Sequence, residues 1–392
     1  MAVRVEDRRR ADVPVGAEVA RIVRNLDFVL LAAVAGLVAY GLWVLASVSR
    51  NDVPGDPDYF LVRQSVNVAL GVVLFAFVTA LNPEVYRRIR TPLYAAALVA
   101  LAVVFVADQV RGTRRWIDVG FFQFQPSEIG KALLILVLAG FLADRSRRLD
   151  EWGTTMGALG LAAVPAVLVF LEPDLGTALV YIAILGAALF VAGSRWLHLG
   201  TLAGVGVLAV VSLFWLFPAA GIEVLRPYQV ERLTGFLNPD HDPAGATYNI
   251  TQSITAVGSG GLDGRGVEGA SQTNMNYLPE HSTDFIFSSL AEQRGFFGAA
   301  LLLLLYGLVV WRGMRTIALA PSLFQATVAG AIVVAFVFQV FVNVGMTIGI
   351  APITGIPLPF VSYGGSSMIV MLGLVGLLQA IHVRGRVALE RR

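Results

Sequence analysis

The chain has 392 residues, of which 56% are hydrophobic and 14% are charged, and its formal net charge is +2. Its mean hydropathy of +0.72 excludes a water-soluble globular protein, which would need far more charge on its surface. The chain contains no cysteine, which excludes disulfides and thiolate metal sites, and we expect no nucleic-acid partner.

The apolar stretches predict an all-α polytopic membrane protein with about ten transmembrane helices. A hydrocarbon core about 30 Å thick requires roughly 20 apolar residues per helix. On this measure the spans lie at 27–48, 61–81, 92–108, 128–144, 154–171, 174–193, 197–217, 296–311, 323–349 and 361–382. A polar stretch at 218–295 separates the seventh and eighth spans. We therefore predict one membrane domain, 27–383, between short tails at 1–26 and 384–392.

Arginines are concentrated in the tails and in every second connection between the spans. The connections that carry them contain Arg87, Arg88 and Arg90; Arg145, Arg147 and Arg148; Arg195; and Arg312 and Arg315. Since cytoplasmic loops carry the excess of arginine, both termini are predicted to be cytoplasmic and the 218–295 loop to lie outside. We expect the protein in a bacterial cytoplasmic (inner) membrane.

Aromatic and charged residues precede the fourth span. Arg114 and Trp116 belong to a segment that is typical of the membrane interface. Glu128 and Lys131, the only lysine of the chain, follow within one helical turn of each other. One interpretation is a local pair whose ammonium group extends to the surface. The other is a polar floor beneath a substrate cavity that binds pyrophosphate or orients a carboxylate.

Three further polar motifs favour ordinary structural roles. Asp174 and Thr177 are predicted to form a turn and a helix cap. Asp240-His-Asp242 matches the metal-binding Asp-x-Asp pattern of soluble sugar transferases, but its neighbours favour a turn. The glycine-rich stretch 258–266 follows no strand, so it does not predict a dinucleotide site. Its Arg265 remains a candidate for contact with a lipid-linked pyrophosphate.

The stretch Glu280–Phe287 returns the large loop to the membrane and contains Asp284. Thr283 or Asp284 fits the cap of the following helix. Asp284 also fits a carboxylate at the mouth of a cavity, where an apolar wall raises the pKa of a general base. The residues alone favour neither interpretation.

The connection between the last two spans, 349–367, contains three prolines and several glycines within apolar sequence. Such a segment cannot form a plain helix, and irregular backbone at membrane depth occurs where it packs on protein or lines a cavity. We predict that this segment borders the same outer cavity as Asp284.

Together these stretches resemble the SEDS family of bacterial peptidoglycan glycosyltransferases over about Asp27 to His382. The matching segments are Gly112–Lys131, Pro173–Thr177, Gln252–Ser253 with Gly258–Gly266, Pro279–Phe287 and Asn343–Ser367. Gly355-Ile-Pro357-Leu-Pro359 is similar to the elongation members, since the division members more often have Thr at the position of Pro357.

The resemblance implies polymerisation of lipid II, a disaccharide-pentapeptide on undecaprenyl diphosphate, for cell elongation and shape. Asp284 would be the general base that deprotonates the acceptor hydroxyl, and the reaction would invert the anomeric carbon. The implied substrate-binding residues are Arg114, Glu128, Lys131, Arg226, Arg265, Ser362 and Tyr363. Stabilisation of the departing diphosphate would come from Arg226, Arg265, Lys131 or a divalent cation, Mg²⁺ or Mn²⁺, and no cofactor is certain.

The same resemblance implies three partners and leaves three alternatives. The partners are an undecaprenyl-diphosphate-linked glycan, a class B penicillin-binding protein that acts as transpeptidase, and the elongation machinery. The first alternative is a lipid II flippase, which needs the cavity but no base. The second is a non-catalytic scaffold, and the third is a division-type member of the same family.

Overall fold

The computed structural model describes residues 15–106, 115–118, 123–221, 230, 234–236 and 247–390. The regular secondary structure of these residues is helical, apart from one short antiparallel hairpin that pairs Ile117 with Phe124 and Asp118 with Gln123. The predicted all-α fold is therefore confirmed.

The elements run in the following order. The helices are α1 (Val15–Arg24), α2 (Phe28–Val48), α3 (Tyr59–Ala80), α4 (Pro83–Arg88), α5 (Arg90–Val103), α6 (Pro126–Asp144), α7 (Trp152–Leu171), α8 (Leu175–Ala192), α9 (Trp196–Ala219), α10 (Tyr248–Gly260), α11 (Gly266–Gly269), α12 (Ser271–Asn274), α13 (Ile286–Leu319), α14 (Leu323–Thr347) and α15 (Gly365–Glu390). Strands β1 (Ile117–Asp118) and β2 (Gln123–Phe124) precede α6.

Within the described ranges, nine helices are long and apolar enough to cross a membrane, namely α2, α3, α6, α7, α8, α9, α13, α14 and α15. The span predicted at 92–108 corresponds to α5, which continues as a 3₁₀ turn to Val106 and is shorter than the other nine. The eighth span, predicted at 296–311, begins earlier, at Ile286. Hydropathy misses this first part because Ser288, Ser289 and Glu292 are buried in protein rather than lipid.

Several helices begin at residues whose side chains cap them. Asp27 accepts a hydrogen bond from the Leu30 amide, and Ser322 accepts one from the Gln325 amide. Asp174 accepts one from the Thr177 amide, so the predicted capping role of Asp174 is confirmed.

The helices differ widely in how much of their surface the protein covers. Almost all of α15 is buried, and it packs along α3, where Gly71 and Gly376 allow close approach. In α9, by contrast, no residue of the most apolar 18-residue window is buried. Helix α9 contacts α7 near its start through His198, and beyond that point an apolar groove separates it from α7 and α8.

Side-chain contacts join the connections at each end of the bundle. At the end with the arginine-rich connections, Arg312 pairs with buried Asp27, and Arg87 and Arg90 both pair with Asp144. The opposite end holds the segment around Asp284. The arginine-rich connections thus share one end of the fold, as the predicted topology requires, while their cytoplasmic location stays a prediction.

Helix α13 is kinked at Gly295, which has φ 63° and ψ −162°. The loop that follows α10 fills the gap, because the Arg265 amide donates to the Glu292 carbonyl and the Phe296 amide donates to the Gly261 carbonyl. The kink therefore divides α13 into a first part that the protein covers and a longer apolar part, and it attaches the loop after α10 to both.

We predict that Gly295→Ala destabilises the fold, because a Cβ at this position would overlap the Gly264 amide and the Leu262 carbonyl and would force a positive φ on alanine. Gly307→Ala in the same helix meets no neighbouring atom and should be neutral or slightly stabilising. The measurement is the apparent Tm of both variants in detergent. Equal values for the two would contradict the prediction.

Candidate active site

Asp284 lies directly before α13, whose N-cap position is Phe285. The segment leading to it is tightly turned, since the amides of Thr283 and Phe285 both donate to the Glu280 carbonyl. Phe285 is buried in an apolar cluster with Leu278 and Met346. Asp284 therefore stands where a polar turn meets an apolar wall, as the sequence predicts.

Three hydrogen bonds fix the backbone at Asp284 and at the two residues before it. The Asn343 amide group, on α14, donates to the Asp284 carbonyl at 2.9 Å. The Ser362 hydroxyl donates to the Thr283 carbonyl at 2.6 Å, and the Tyr363 amide donates to the Ser282 carbonyl at 3.0 Å. This part of the chain is thus held from two different elements.

The segment between α14 and α15 is irregular and borders Asp284, as predicted. Asn343 also donates to the Ile356 carbonyl at 2.8 Å, so one side chain joins both segments. A Cβ added to Gly355, whose φ is 71°, would lie 3.4 Å from Asp284 Oδ2. On the other side of the segment, Gly176 of α8 packs against the Thr354 carbonyl. The site is therefore a corner formed by α8, α13, α14 and this segment.

Glu128 and Lys131 form a buried ion pair with 2.7 Å between Lys131 Nζ and Glu128 Oε1. The lysine also donates to Gln339 Oε1 at 3.1 Å, and its side chain is only 3% exposed. The interpretation in which the ammonium group reaches the surface is therefore wrong, because the helix start lies inside the bundle. Gln339 stands one turn before Asn343 on α14, so the pair and the Asp284 segment contact the same helix.

The other predicted site residues lie in different settings. Arg265 is exposed, and its Nε donates to the Ser259 carbonyl at 2.9 Å. Ser362 is buried, and its hydroxyl also accepts from the Leu358 amide. Tyr363 stacks edge-to-face on Phe60 with 4.8 Å between the ring centroids. Arg114, Arg226 and the Asp240-His-Asp242 motif lie outside the described residues.

Sequence reasoning missed three residues that build the corner. Asn343 and Gln339 interrupt apolar spans, which is itself a sign of a functional or structural contact. Gln64 does the same in α3, where it donates to the Ser362 carbonyl and accepts from the Gly364 amide. Polar residues inside predicted spans were the signal that could have identified all three.

No cluster of three or more histidine, cysteine or carboxylate side chains suited to a metal ion occurs among the residues that the structure describes. The described part of the corner offers Asp284 as its carboxylate, with amide and hydroxyl groups that are already bonded to backbone. The described residues thus provide no ready-made cage of carboxylates for a divalent cation.

Another buried carboxyl, Glu172, lies at the C-terminal end of α7. Burial, reinforced by the nearby charge of Asp174 and opposed by Arg115, raises the pKa of Glu172 to about 8. Arg115 donates to the backbone carbonyls of Glu172 and Pro173. The turn that precedes α8 is therefore held by an arginine and carries a carboxyl group that is neutral near pH 7.

An apolar groove of about 900 Å³ opens beside the corner that contains Asp284. It lies between α7, α8 and α9, and Pro352 of the irregular segment and Phe236 of the large loop line one part of it. The remaining lining is almost entirely aliphatic and aromatic. Such a groove suits a long hydrocarbon chain.

We predict that Glu128 and Lys131 stabilise the fold as a unit. Glu128→Gln or Lys131→Met leaves one buried group without its charged partner, which typically costs about 3–5 kcal/mol, whereas the double variant should cost much less than the sum. Apparent Tm values of the wild type, the two single variants and the double variant give the coupling between the two residues. The exposed pair Arg195–Asp150 is the control and should show almost none. Additive effects at Glu128 and Lys131 would contradict the prediction.

We also predict a pH-dependent gain from Glu172→Gln. The folded chain keeps the Glu172 proton up to about pH 8, whereas the unfolded carboxyl releases it near its ordinary pKa of 4.5. The folding stability of the wild type therefore decreases as the pH rises from 4.5 to about 8. The Tm advantage of Glu172→Gln should grow from pH 5 to pH 8. Glu151→Gln, at the exposed start of the same helix, should show no such trend, and a constant difference for Glu172→Gln would refute the assignment.

The model of a family of cell cycle proteins that comprises FtsW, RodA and SpoVE matches residues 27–386. Peptidoglycan glycosyltransferase MrdB of Escherichia coli K12 is 37% identical over 360 residues, covering 91% of this chain and 94% of that protein. Stage V sporulation protein E of Bacillus subtilis is 36% identical over 359 residues, covering 90% and 95%.

Two solved structures are similar as well. A chain from a peptidoglycan synthase complex, described as coordinating polymerization and crosslinking, matches with a TM-score of 0.77 and 34% identity, covering 92% of this chain and 98% of that one. Rod shape determining protein RodA of Thermus thermophilus matches with a TM-score of 0.66 and 32% identity, covering 91% and 96%. The family resemblance in the sequence is thus confirmed, and the chain belongs to the FtsW, RodA and SpoVE family of cell cycle proteins.

Proposed function

We propose that this chain is a peptidoglycan glycosyltransferase that polymerises lipid II into glycan strands for cell elongation. The position of Asp284 carries the proposal, because its backbone is fixed from two sides at a polar boundary beside an apolar wall. The similarity to the peptidoglycan glycosyltransferase of Escherichia coli supports the reaction class. The sequence Gly355–Pro359, similar to the elongation members, supports the role in elongation.

In the proposed reaction Asp284 acts as the general base. Its carboxylate takes the proton from the C4 hydroxyl of the acceptor GlcNAc, and the resulting oxygen attacks the anomeric carbon of the chain's MurNAc. The new glycosidic bond forms as the bond to the lipid diphosphate breaks, with inversion at that carbon. Base assistance of this kind contributes about 10²–10⁴-fold.

The apolar groove would hold the polyprenyl chain of one lipid substrate. Its volume of about 900 Å³ and its aliphatic lining suit an isoprenoid. Pro352 lies in the groove wall and belongs to the same segment as Gly355, which faces Asp284. A lipid in the groove would thus present its sugar head to the corner.

The departing diphosphate needs cationic stabilisation. Lys131 is bonded to Glu128 and Gln339 inside the bundle, so we assign this role to arginines rather than to the lysine. Arg265 is exposed on the outer loop, and Arg114 and Arg226 are further candidates from the sequence. The described residues include no ready-made carboxylate cage for a divalent cation, so none of them is assigned to one.

We further propose a location and a partner. The protein would lie in a bacterial cytoplasmic membrane with both termini inside, so that Asp284 faces the outer surface where lipid II is polymerised. The arginine-rich ends of the helices support this orientation. A class B penicillin-binding transpeptidase would be its partner, in line with the similar chain from a peptidoglycan synthase complex.

We predict that Asp284→Asn and Asp284→Ala both abolish glycan synthesis while the fold persists. Asparagine keeps the shape but cannot accept the proton, so the rate should fall by about 10²–10⁴-fold in both variants. The measurement is polymerisation of lipid II by the purified chain in proteoliposomes, with and without a class B transpeptidase. Asp263→Asn, an exposed carboxyl of the same loop, is the matched control and should retain activity.

The same experiment separates the alternatives. Substantial glycan synthesis by Asp284→Asn would refute the role of Asp284 as base. Lipid II transport without any glycan product would indicate a flippase. Absence of glycan synthesis by the wild-type chain, together with normal shape of cells that carry Asp284→Ala, would indicate a scaffold.

A further inference from the structure

His281, three residues before Asp284, bridges two outer segments. Its Nε2 lies 2.8 Å from Oδ1 of Asp52, which belongs to the connection between α2 and α3. Its Nδ1 lies 3.0 Å from the carbonyl oxygen of Leu278. The side chains of His281 and Asp52 are only 9% and 14% exposed. The bridge is therefore a largely buried contact between residues 229 positions apart.

The two neighbours of the imidazole determine its protonation. A carbonyl oxygen accepts hydrogen bonds and cannot donate, so Nδ1 must carry a proton. An ionised carboxylate also only accepts, so Nε2 must carry one too. Both nitrogens are protonated only in the imidazolium ion. The geometry thus fits a cation paired with an anion.

The surrounding charges favour the same form. Burial lowers the pKa of His281, but the hydrogen bond and charge of Asp52, the Leu278 carbonyl and the charge of Glu280 outweigh it and raise the pKa above its ordinary value of 6.5. Arg50, on the same connection as Asp52, is engaged by Glu268 in an exposed pair. Asp52 therefore stabilises the imidazolium from outside the turn that contains Leu278, Glu280 and His281.

The bridge attaches the turn that leads to Asp284. Leu278 and His281 belong to the turn that ends at Asp284, and the Glu280 carbonyl inside this turn accepts from the Phe285 amide. Ser362 and Asn343 hold the turn from the membrane side, whereas His281 holds it from the α2–α3 connection. Loss of this hold frees one side of a turn whose last residue must be placed within a fraction of an ångström for catalysis.

We propose that His281 is a positioning residue which, as an imidazolium ion held by Asp52, fixes the turn before Asp284 and makes glycosyl transfer depend on its protonation. This inference rests on the function proposed above. Deprotonation removes one of its two hydrogen bonds and the charge that makes the other strong. The link between the turn and the α2–α3 connection is then weakened.

The test compares pH profiles of lipid II polymerisation by the full chain in proteoliposomes. In the wild type the rate should fall as pH rises through the pKa of His281, by up to about 100-fold if Asp284 moves by about 1 Å. Asp52→Asn withdraws the anion and should shift this fall to lower pH. His281→Gln cannot titrate and should show low activity with no fall in this range. Glu268→Gln, which breaks the exposed pair between the same loops, should match the wild type.

Thermal stability provides a readout that does not need activity. Because the pKa of His281 is raised on folding, its stabilisation is present below the ordinary value of 6.5 and disappears as pH rises through the raised value. The Tm difference between the wild type and His281→Gln should shrink over that interval. In a chain that also carries Asp52→Asn, replacing His281 by Gln should change the Tm little at any pH.

Two results would overturn the proposal. One is a fall in rate at the same pH in wild type, Asp52→Asn and His281→Gln. The other is a wild-type rate that stays flat up to about pH 9, well beyond the range of histidine. Absence of glycan at every pH would instead refute the proposed function and the dependence of transfer on His281, while the Tm profiles would still report whether the ion pair forms.

Discussion

The amide group of Asn343 donates to two backbone carbonyls, those of Asp284 and Ile356, and joins two non-helical segments at one end of the bundle. Backbone that is neither helix nor sheet cannot be exposed to lipid, because each unsatisfied group costs several kcal/mol there. Ser362 and Gln64 satisfy further groups of the same segments. The irregular corner exists at this depth because side chains from three elements replace the missing helical bonds.

The same face of α14 connects this corner to the rest of the protein. Gln339, Asn343 and Thr347 follow one another at one-turn spacing. Gln339 accepts from Lys131, Asn343 holds the Asp284 segment, and the Thr347 carbonyl accepts from Ser253 of α10. One polar stripe thus fixes the buried ion pair, the candidate base and the outer loop relative to each other. A shift of α14 would move all three together.

Much of this arrangement was predictable from the sequence, and the limits have physical causes. The spans, the irregular 349–367 segment, the cap at Asp174 and the Glu128–Lys131 pair follow from hydropathy, prolines and one-turn spacing, which are local signals. The start of α13 at Ile286 does not, because buried Ser288 and Glu292 look like loop residues to a hydropathy measure. The partners of Lys131 and His281 depend on contacts 208 and 229 residues apart, which no local pattern encodes.

The contrast between a fixed corner and a loosely packed α9 suits the proposed reaction. A general base requires placement within a fraction of an ångström, so Asp284 is held by bonds from several elements. A lipid-linked substrate, in contrast, has to enter and leave through the membrane, and elements that move are drawn from the weakly packed parts of a fold. Helix α9, with no buried residue in its most apolar window, forms one wall of the groove, while Pro352 of the fixed segment forms part of its lining. Motion of α9 could therefore admit a lipid chain without displacing the carboxylate that would act on its sugar.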